Sequence, residues 1–213
     1  MDQCEVVMKM LLAAVKSTSD GKIGSEAIPV GIINRHVYLK EEDLEKLFGA
    51  GYELTKLEDL SQPGQFACKE TVAVCGPKGR IEKVRIFGPV RKVSQVEILA
   101  GDCLKLGVKA PIRLSGEFTG TPGITLVGPK GSVQLSSGVI VAKRHIHMLP
   151  ADAKCLGVQN GESVSIEVDG ERGGILRNTI VCVTEQSRLE CHLDVEEAGA
   201  MGLDSSSTIR IKH

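Results

Sequence analysis

From Ile28 onward the chain is a succession of short Val/Ile/Leu runs, cut by Gly and Pro turns about every 8–12 residues. The runs include residues 71–74, 84–87, 93–98, 124–127, 138–142, 163–168 and 179–183. That spacing favours small β-barrels or sandwiches. Helical stretches are few and short, at residues 40–47, 101–106, 151–156 and 196–200. Ahead of this region, Cys4, Val7, Met8, Leu11, Leu12 and Val15 form one apolar stripe at helical spacing, with Asp2, Gln3, Glu5, Lys9 and Lys16 off it. Residues 4–16 therefore read as an amphipathic helix, followed by the linker Ser17-Thr18-Ser19-Asp20-Gly21. Such a helix docks on its own body or a second copy, or serves as an address peptide for a partner's groove.

The chain also repeats itself. Residues 34–49, NRHVYLKEEDLEKLFG, resemble residues 143–157, KRHIHMLPADAKCLG. Each reads as Arg-His, an apolar/x/apolar strand, an Asp opening a short helix, then Leu and Gly. Gly76-Pro77-Lys78-Gly79 recurs as Gly128-Pro129-Lys130-Gly131. A duplicated unit forming two similar barrels explains both repeats.

Four of the five histidines fall in this pattern: His36, His145, His147 and His192. Residues i and i+2 of a strand share a face, so His145 and His147 can converge on one cation. Zinc accepts imidazole nitrogen and prefers four ligands. His192 alternates with apolar neighbours and can supply a third, while Cys191 beside it would face the core. His36 is the repeat-mate of His145, and a carboxylate can complete the shell. Arg35 and Arg144 precede the histidines and would point away from that face, into structural roles. Arg91 follows Gly88-Pro89-Val90, a turn able to aim it into a cleft, and Arg suits bidentate binding of phosphate or carboxylate.

Other chemistries lack their signatures. Gly116–Gly123 has no Lys-Ser/Thr to make a P-loop, and neither G-x-G-x-x-G nor G-x-S-x-G occurs in context. The seven cysteines show no C-x-x-C spacing and read as free, mostly buried thiols. Lys plus Arg number 26 and Asp plus Glu 27, for a net charge of −1. That balance, with 3% aromatic residues and no Trp, speaks against nucleic acid and anionic membranes as partners. No apolar run approaches the roughly 18 residues of a membrane span, and Asp2 and Glu5 stand where an export signal would be basic.

Several blocks together resemble the PduL-type phosphotransacylases, or phosphate propanoyltransferases. They are Ile28-Pro29-Val30-Gly31 leading to Asn34-Arg35-His36, Gln62-Pro63-Gly64-Gln65, Val93-Ser94-Gln95-Val96-Glu97, Gly120-Thr121-Pro122-Gly123, the long block from Ser137 to Met148, and Leu193-Asp194-Val195-Glu196-Glu197-Ala198. The resemblance runs from about Ile28 to the C-terminus. It implies a mainly β protein of two interlocked barrels capped by short helices, divided as residues 35–142 and residues 24–34 with 143–213, behind an N-terminal segment 1–23. It also implies a dinuclear zinc site and interconversion of acyl-CoA plus phosphate with acyl phosphate plus CoA. By motif the ligands are His36, Glu97, His145, His147 and His192. Gln62, Gln65, Gln95 and Ser115 lie around the metals, and Arg91 contacts phosphate. The expected assembly is a homodimer. The expected location is the cytoplasm, or the interior of a bacterial microcompartment engaged through residues 4–16.

Three positions depart from the family pattern. Tyr38 stands where the first repeat has a second His, and a phenol is a poor zinc ligand beside imidazole. Ile33 replaces a frequent Ser and Cys182 a frequent Arg. These changes leave the position around His36 incomplete, whereas Glu97, His145, His147 and His192 form a full set. Two other functions stay open on these grounds: a catalytically impaired metal- or CoA-binding relative with an assembly role, and a zinc-dependent hydrolase.

Overall fold

The computed structural model describes residues 27–212. The expected helix at 4–16, its linker, Cys4 and His213 lie outside that range. The described chain opens with β1 (Ile28–Ile33), β2 (His36–Tyr38) and α1 (Glu41–Phe48). Next come β3 (Lys56–Asp59), β4 (Phe66–Cys75), β5 (Arg80–Gly88), β6 (Gln95–Ile98) and α2 (Ala100–Leu106). β7 (Ile112–Arg113), β8 (Ile124–Val127), β9 (Ser132–Leu135) and β10 (Val139–Ala142) lead to β11 (His145–Met148) and α3 (Pro150–Leu156). Last are β12 (Ser163–Val168), β13 (Gly174–Val183), β14 (Glu190–Asp194), α4 (Val195–Met201) and β15 (Thr208–Lys212). Among the described residues no helix is long and apolar enough to cross a membrane.

The protein is mainly β, as the spacing of its apolar runs predicts. One lobe is a closed barrel in the order β1-β14-β11-β13-β12-β15. The other is a nine-stranded sheet, β7-β10-β6-β2-β5-β4-β8-β9 with β3 on β4, that curls into a half-barrel without closing. Each encloses its own core. Leu39, Leu44, Leu47, Ile86, Leu106 and Leu126 pack inside the open sheet, and Ile28, Ile146, Met148, Ile166 and Leu193 inside the barrel. Burying each such side chain contributes about 1.5–3 kcal/mol.

The internal repeat is realised strand for strand. β2 pairs with β5 in parallel and with β6 antiparallel, placing His36 opposite Glu97. β11 pairs with β13 in parallel and with β14 antiparallel, placing His145 opposite His192. β2, β6, β11 and β14 each run directly into one of the four helices found among the described residues. The lobes also exchange strands. β1 joins the barrel while β2 joins the sheet, and β10 joins the sheet while β11 joins the barrel. Both crossings are the Arg-His segments of the repeat.

Carboxylates fix the helix starts at equivalent positions. The Leu99 N–H donates to Asp102 at 3.1 Å and the Leu149 N–H to Asp152 at 3.0 Å, three residues into each segment. Ser94 relays the same bond for α1: it accepts from the Lys40 N–H at 2.9 Å and donates to Asp43 at 2.7 Å. At the crossings Arg35 bonds Asp102 and Arg144 bonds Glu197, each at 2.7 Å. Both arginines therefore turn to helices, as expected.

The two Gly-Pro-Lys-Gly turns seat on helix ends. The Lys78 N–H donates to Leu106 O at 3.1 Å and the Lys130 N–H to Leu47 O at 3.0 Å, capping orphan carbonyls of α2 and α1. A Cβ on Gly76 would stand 2.2 Å from Leu106 O, and one on Gly128 2.5 Å from Leu47 O, so only glycine permits the approach.

The cysteine expectation needs correction. All six described cysteines are free thiols, but only Cys68 and Cys191 are buried; Cys155 is exposed on α3. Cysteine's general preference for the interior yields here to the helix face on which the residue falls.

Candidate active site

β11 turns Ile146 and Met148 into the barrel core and His145 and His147 to the opposite face. His192 joins them from β14. The ligand nitrogens of the three rings all lie within 4.8 Å of one another, with His145 Nε2 3.0 Å from His147 Nε2. His145 Nδ1 donates to the Lys143 carbonyl at 2.8 Å, which leaves the Nε2 lone pair facing the cluster. Burial, reinforced by His192, pushes the His145 pKa down to about 4. Burial, reinforced by His145 and His192, pushes that of His147 down to about 3. Both rings are thus neutral at pH 7, the form in which imidazole takes a metal.

Glu190, two residues before His192, shares its face of β14. Its carboxylate accepts from His192 Nε2 at 2.6 Å, from Gln62 Nε2 at 3.4 Å and from Ser61 Oγ. Burial alone would raise its pKa, but the bonds from His192 and Ser61 outweigh burial and hold it at about 2. Gln62 clamps the Arg188 backbone from both sides, donating to its carbonyl at 3.0 Å and accepting from its N–H at 3.1 Å. Sequence reasoning passed over Glu190 and Ser61. The alternation Glu190-x-His192 could have revealed the first, since it matches that of His145-x-His147; nothing local marks the second.

The open sheet supplies the other wall. His36 Nδ1 donates to the Asn34 carbonyl at 2.8 Å, the same i−2 bond that His145 makes. Its Nε2 stands 3.6 Å from Glu97 Oε2, and its ring stacks on Phe87 at 4.2 Å. Tyr38 is buried edge-on to His36 and donates from its hydroxyl to Gln65 at 3.2 Å. Burial, then the charge of Glu97, raises its pKa against the opposing pull of Arg91, so the phenol stays protonated. The Arg91 guanidinium lies over the Tyr38 ring, 3.1 Å from its centroid, and donates to Ser115 Oγ at 3.0 Å. Gln95 donates to Glu97 at 2.8 Å and to Ser115 at 3.1 Å, and accepts from the Gly116 N–H at 2.9 Å.

A cavity of about 360 Å³ lies between the two walls. His36, Gln62, Gln65, Arg91, Glu97, Ser115, His145, His147 and His192 line it, as do Tyr38 and Ile33. Gln95 is buried behind this surface, 1% exposed, and holds Glu97 and Ser115 in place. Cys182 pairs in register with His147 but is not among the lining residues. The residues fit a metal at one place: the convergent imidazoles of His145, His147 and His192, the first two neutral, with Glu97 acting electrostatically on His145. Among the described residues His36 belongs to no such cluster.

A repeated strand–helix frame, with three clustered imidazoles and Glu190 on one half and His36, Glu97, Tyr38 and Arg91 on the other, defines a two-lobed β protein with a polar cavity in its seam. The chain belongs to the phosphate propanoyltransferase family. The model of that family, described as phosphate propanoyltransferase, matches residues 29–204. A phosphate propanoyltransferase of Rhodobacter capsulatus is 50% identical over 185 residues, 87% of this chain and 86% of its own. One from Lachnoclostridium phytofermentans is 47% identical over 211 residues, 99% of this chain and 98% of its own. One from Salmonella typhimurium is 46% identical over 198 residues, 92% of this chain and 93% of its own.

Proposed function

We propose that the protein is a phosphotransacylase that interconverts a short-chain acyl-CoA and phosphate with an acyl phosphate and CoA. The observation that carries this reading is the meeting, in one cavity, of three convergent imidazoles with a guanidinium that has no carboxylate partner among the described residues. His145, His147 and His192, with Glu97 beside them, would hold a zinc ion. Bound there, zinc supplies Lewis acidity that screens the charge of an oxyanion.

The protein's own groups do the rest. Arg91 offers paired N–H donors to phosphate, and Ser115, itself bonded to Gln95, fixes the guanidinium. A phosphate oxygen attacks the thioester carbonyl, the C–S bond breaks, and CoA leaves as thiolate. The proton that phosphate sheds goes to solvent or to the departing sulfur. No protein nucleophile is required, which accords with the lack of a nucleophile elbow in the sequence. Gln62 and Gln65 border the cavity as hydrogen-bonding groups, and apolar Ile33 and Phe87 limit the access of water to the acyl carbon.

Purified protein given acetyl-CoA or propanoyl-CoA tests the reading. Thiol release that depends on inorganic phosphate and yields acyl phosphate is expected. Release without phosphate would identify a hydrolase instead, and no release from metal-loaded protein would identify a binding protein.

A further inference from the structure

The repeat sets up a comparison within the molecule. His145 and His147 on β11 answer to His36 and Tyr38 on β2. Their antiparallel neighbours answer as well: His192 and Glu190 on β14 correspond to Glu97 and Gln95 on β6. On the barrel side the second position is an imidazole that adds a ligand to the cluster. On the sheet side it is a phenol whose oxygen is committed to Gln65 and whose face is covered by Arg91. His36 is left with Glu97 at 3.6 Å and with aromatic rings on its face and edge.

We infer that Tyr38 is a positioning residue for Arg91, and that the guanidinium seated on its ring takes the place of a metal in the sheet-side half of the centre, which therefore binds one metal ion per chain. The phosphate part of this inference rests on the function proposed above; the metal count does not.

The geometry supports it at three points. First, Arg91 is anchored at both ends, its backbone N–H donating to Leu39 O at 2.8 Å and its guanidinium to Ser115 at 3.0 Å. The Tyr38 ring is the floor between these anchors. Second, a cation over a buried aromatic face is held by the ring quadrupole more strongly than at a wet surface. Third, Arg91 has no carboxylate partner among the described residues, whereas Arg35 and Arg144 each have one. Its charge remains available to an anion in the cavity.

The test reads metal content and phosphate affinity rather than turnover. Metal-stripped protein is loaded with excess Zn(II), desalted and assayed for metal per chain. Wild type, Tyr38→Phe, Tyr38→Leu and His36→Ala are each expected to retain one ion, and Tyr38→His two. A wild-type content of two ions, a fall in content on His36→Ala, or a Tyr38→His protein that is folded yet holds one ion would each overturn the inference.

The second arm measures inorganic phosphate binding to the zinc-loaded proteins by calorimetry. Tyr38→Leu removes the platform and is expected to weaken phosphate about tenfold, the factor that about 1.4 kcal/mol makes. Tyr38→Phe keeps the ring and should bind within about twofold of wild type, a rescue that mere loss of packing would not give. Equal affinity in Tyr38→Leu and wild type would overturn the positioning role. Failure of phosphate-dependent thiol release would count against the transacylase reading and leave the metal count intact.

Discussion

Gly31 lies directly against Glu190: a Cβ at residue 31 would stand 2.7 Å from the Glu190 carboxyl carbon and 2.9 Å from its Oε2. His192 Cδ2 would be 2.9 Å away as well. The parallel register of β1 on β14 sets Gly31 beside His192, so the missing side chain is the space in which Glu190 reaches that ring. Gly31→Ala is expected to cost about 1–2 kcal/mol in denaturant unfolding, the range for overpacking a tight site. It should also weaken zinc about tenfold or more, because Glu190 orients His192. Zinc affinity equal to wild type in a chelator competition would show that Glu190 and His192 do not depend on this spacing.

Acid should destabilise the metal-free protein well above the usual carboxylate range. His145 and His147 ionise at 6.5 in the unfolded chain but at about 4 and about 3 when folded. Below pH 6.5 the unfolded state therefore binds more protons, and stability falls as pH falls. Each ring contributes a slope of up to about 1.4 kcal/mol per pH unit until its folded-state pKa is reached. Glu190 has the same sign: its contribution is complete above 4.5 and is lost as pH falls through about 2. Urea midpoints measured from pH 8 to pH 3 should show the decline, and His147→Gln should flatten it. A midpoint independent of pH between 6.5 and 4 would contradict the burial of neutral imidazoles.

Metal should add stability by mass action. Zinc at about 1,000 times its dissociation constant contributes about 4 kcal/mol to a folded state that alone binds it. For a domain of this size that raises Tm by roughly 10 °C. Chelation should reverse the shift, and His145→Ala should abolish the shift and the bound metal together. Differential scanning calorimetry with and without chelator checks both.

Arg35 and Arg144 occupy equivalent crossings and bond Asp102 and Glu197. Both pairs are partly exposed, so solvent screens them, and alanine at either arginine should cost about 1 kcal/mol. Metal content should not change, since both guanidinium groups are engaged by carboxylates of the neighbouring helices. Loss of zinc from folded Arg144→Ala would place that residue in the site after all.

Much of this arrangement is visible in the sequence because strand periodicity is local. Residues 163–168 coincide with β12, and the pairing of His145 with His147 needs only the i, i+2 rule. β3 gave no signal, since all its residues are exposed and it carries no apolar alternation. The closure of one sheet and not the other depends on which strand ends meet across long separations, and no short window records that. Ser61 is a similar case. It meets Glu190 from 129 positions away in the chain, so its role follows from the fold and not from its neighbours. The repeat carried information of a different kind, because it aligned Tyr38 with His147 before any contact was known.

The barrel seam has a consequence for synthesis. β1 pairs with β14 and β15, so the earliest described strand takes its sheet neighbours from the latest two. A nascent chain must leave Ile28 and Val30 without their sheet neighbours until β14 and β15 have been made. His192 lies on β14, so the three histidines can meet only after that strand has been made, and a product terminated before β14 would lack the third of them.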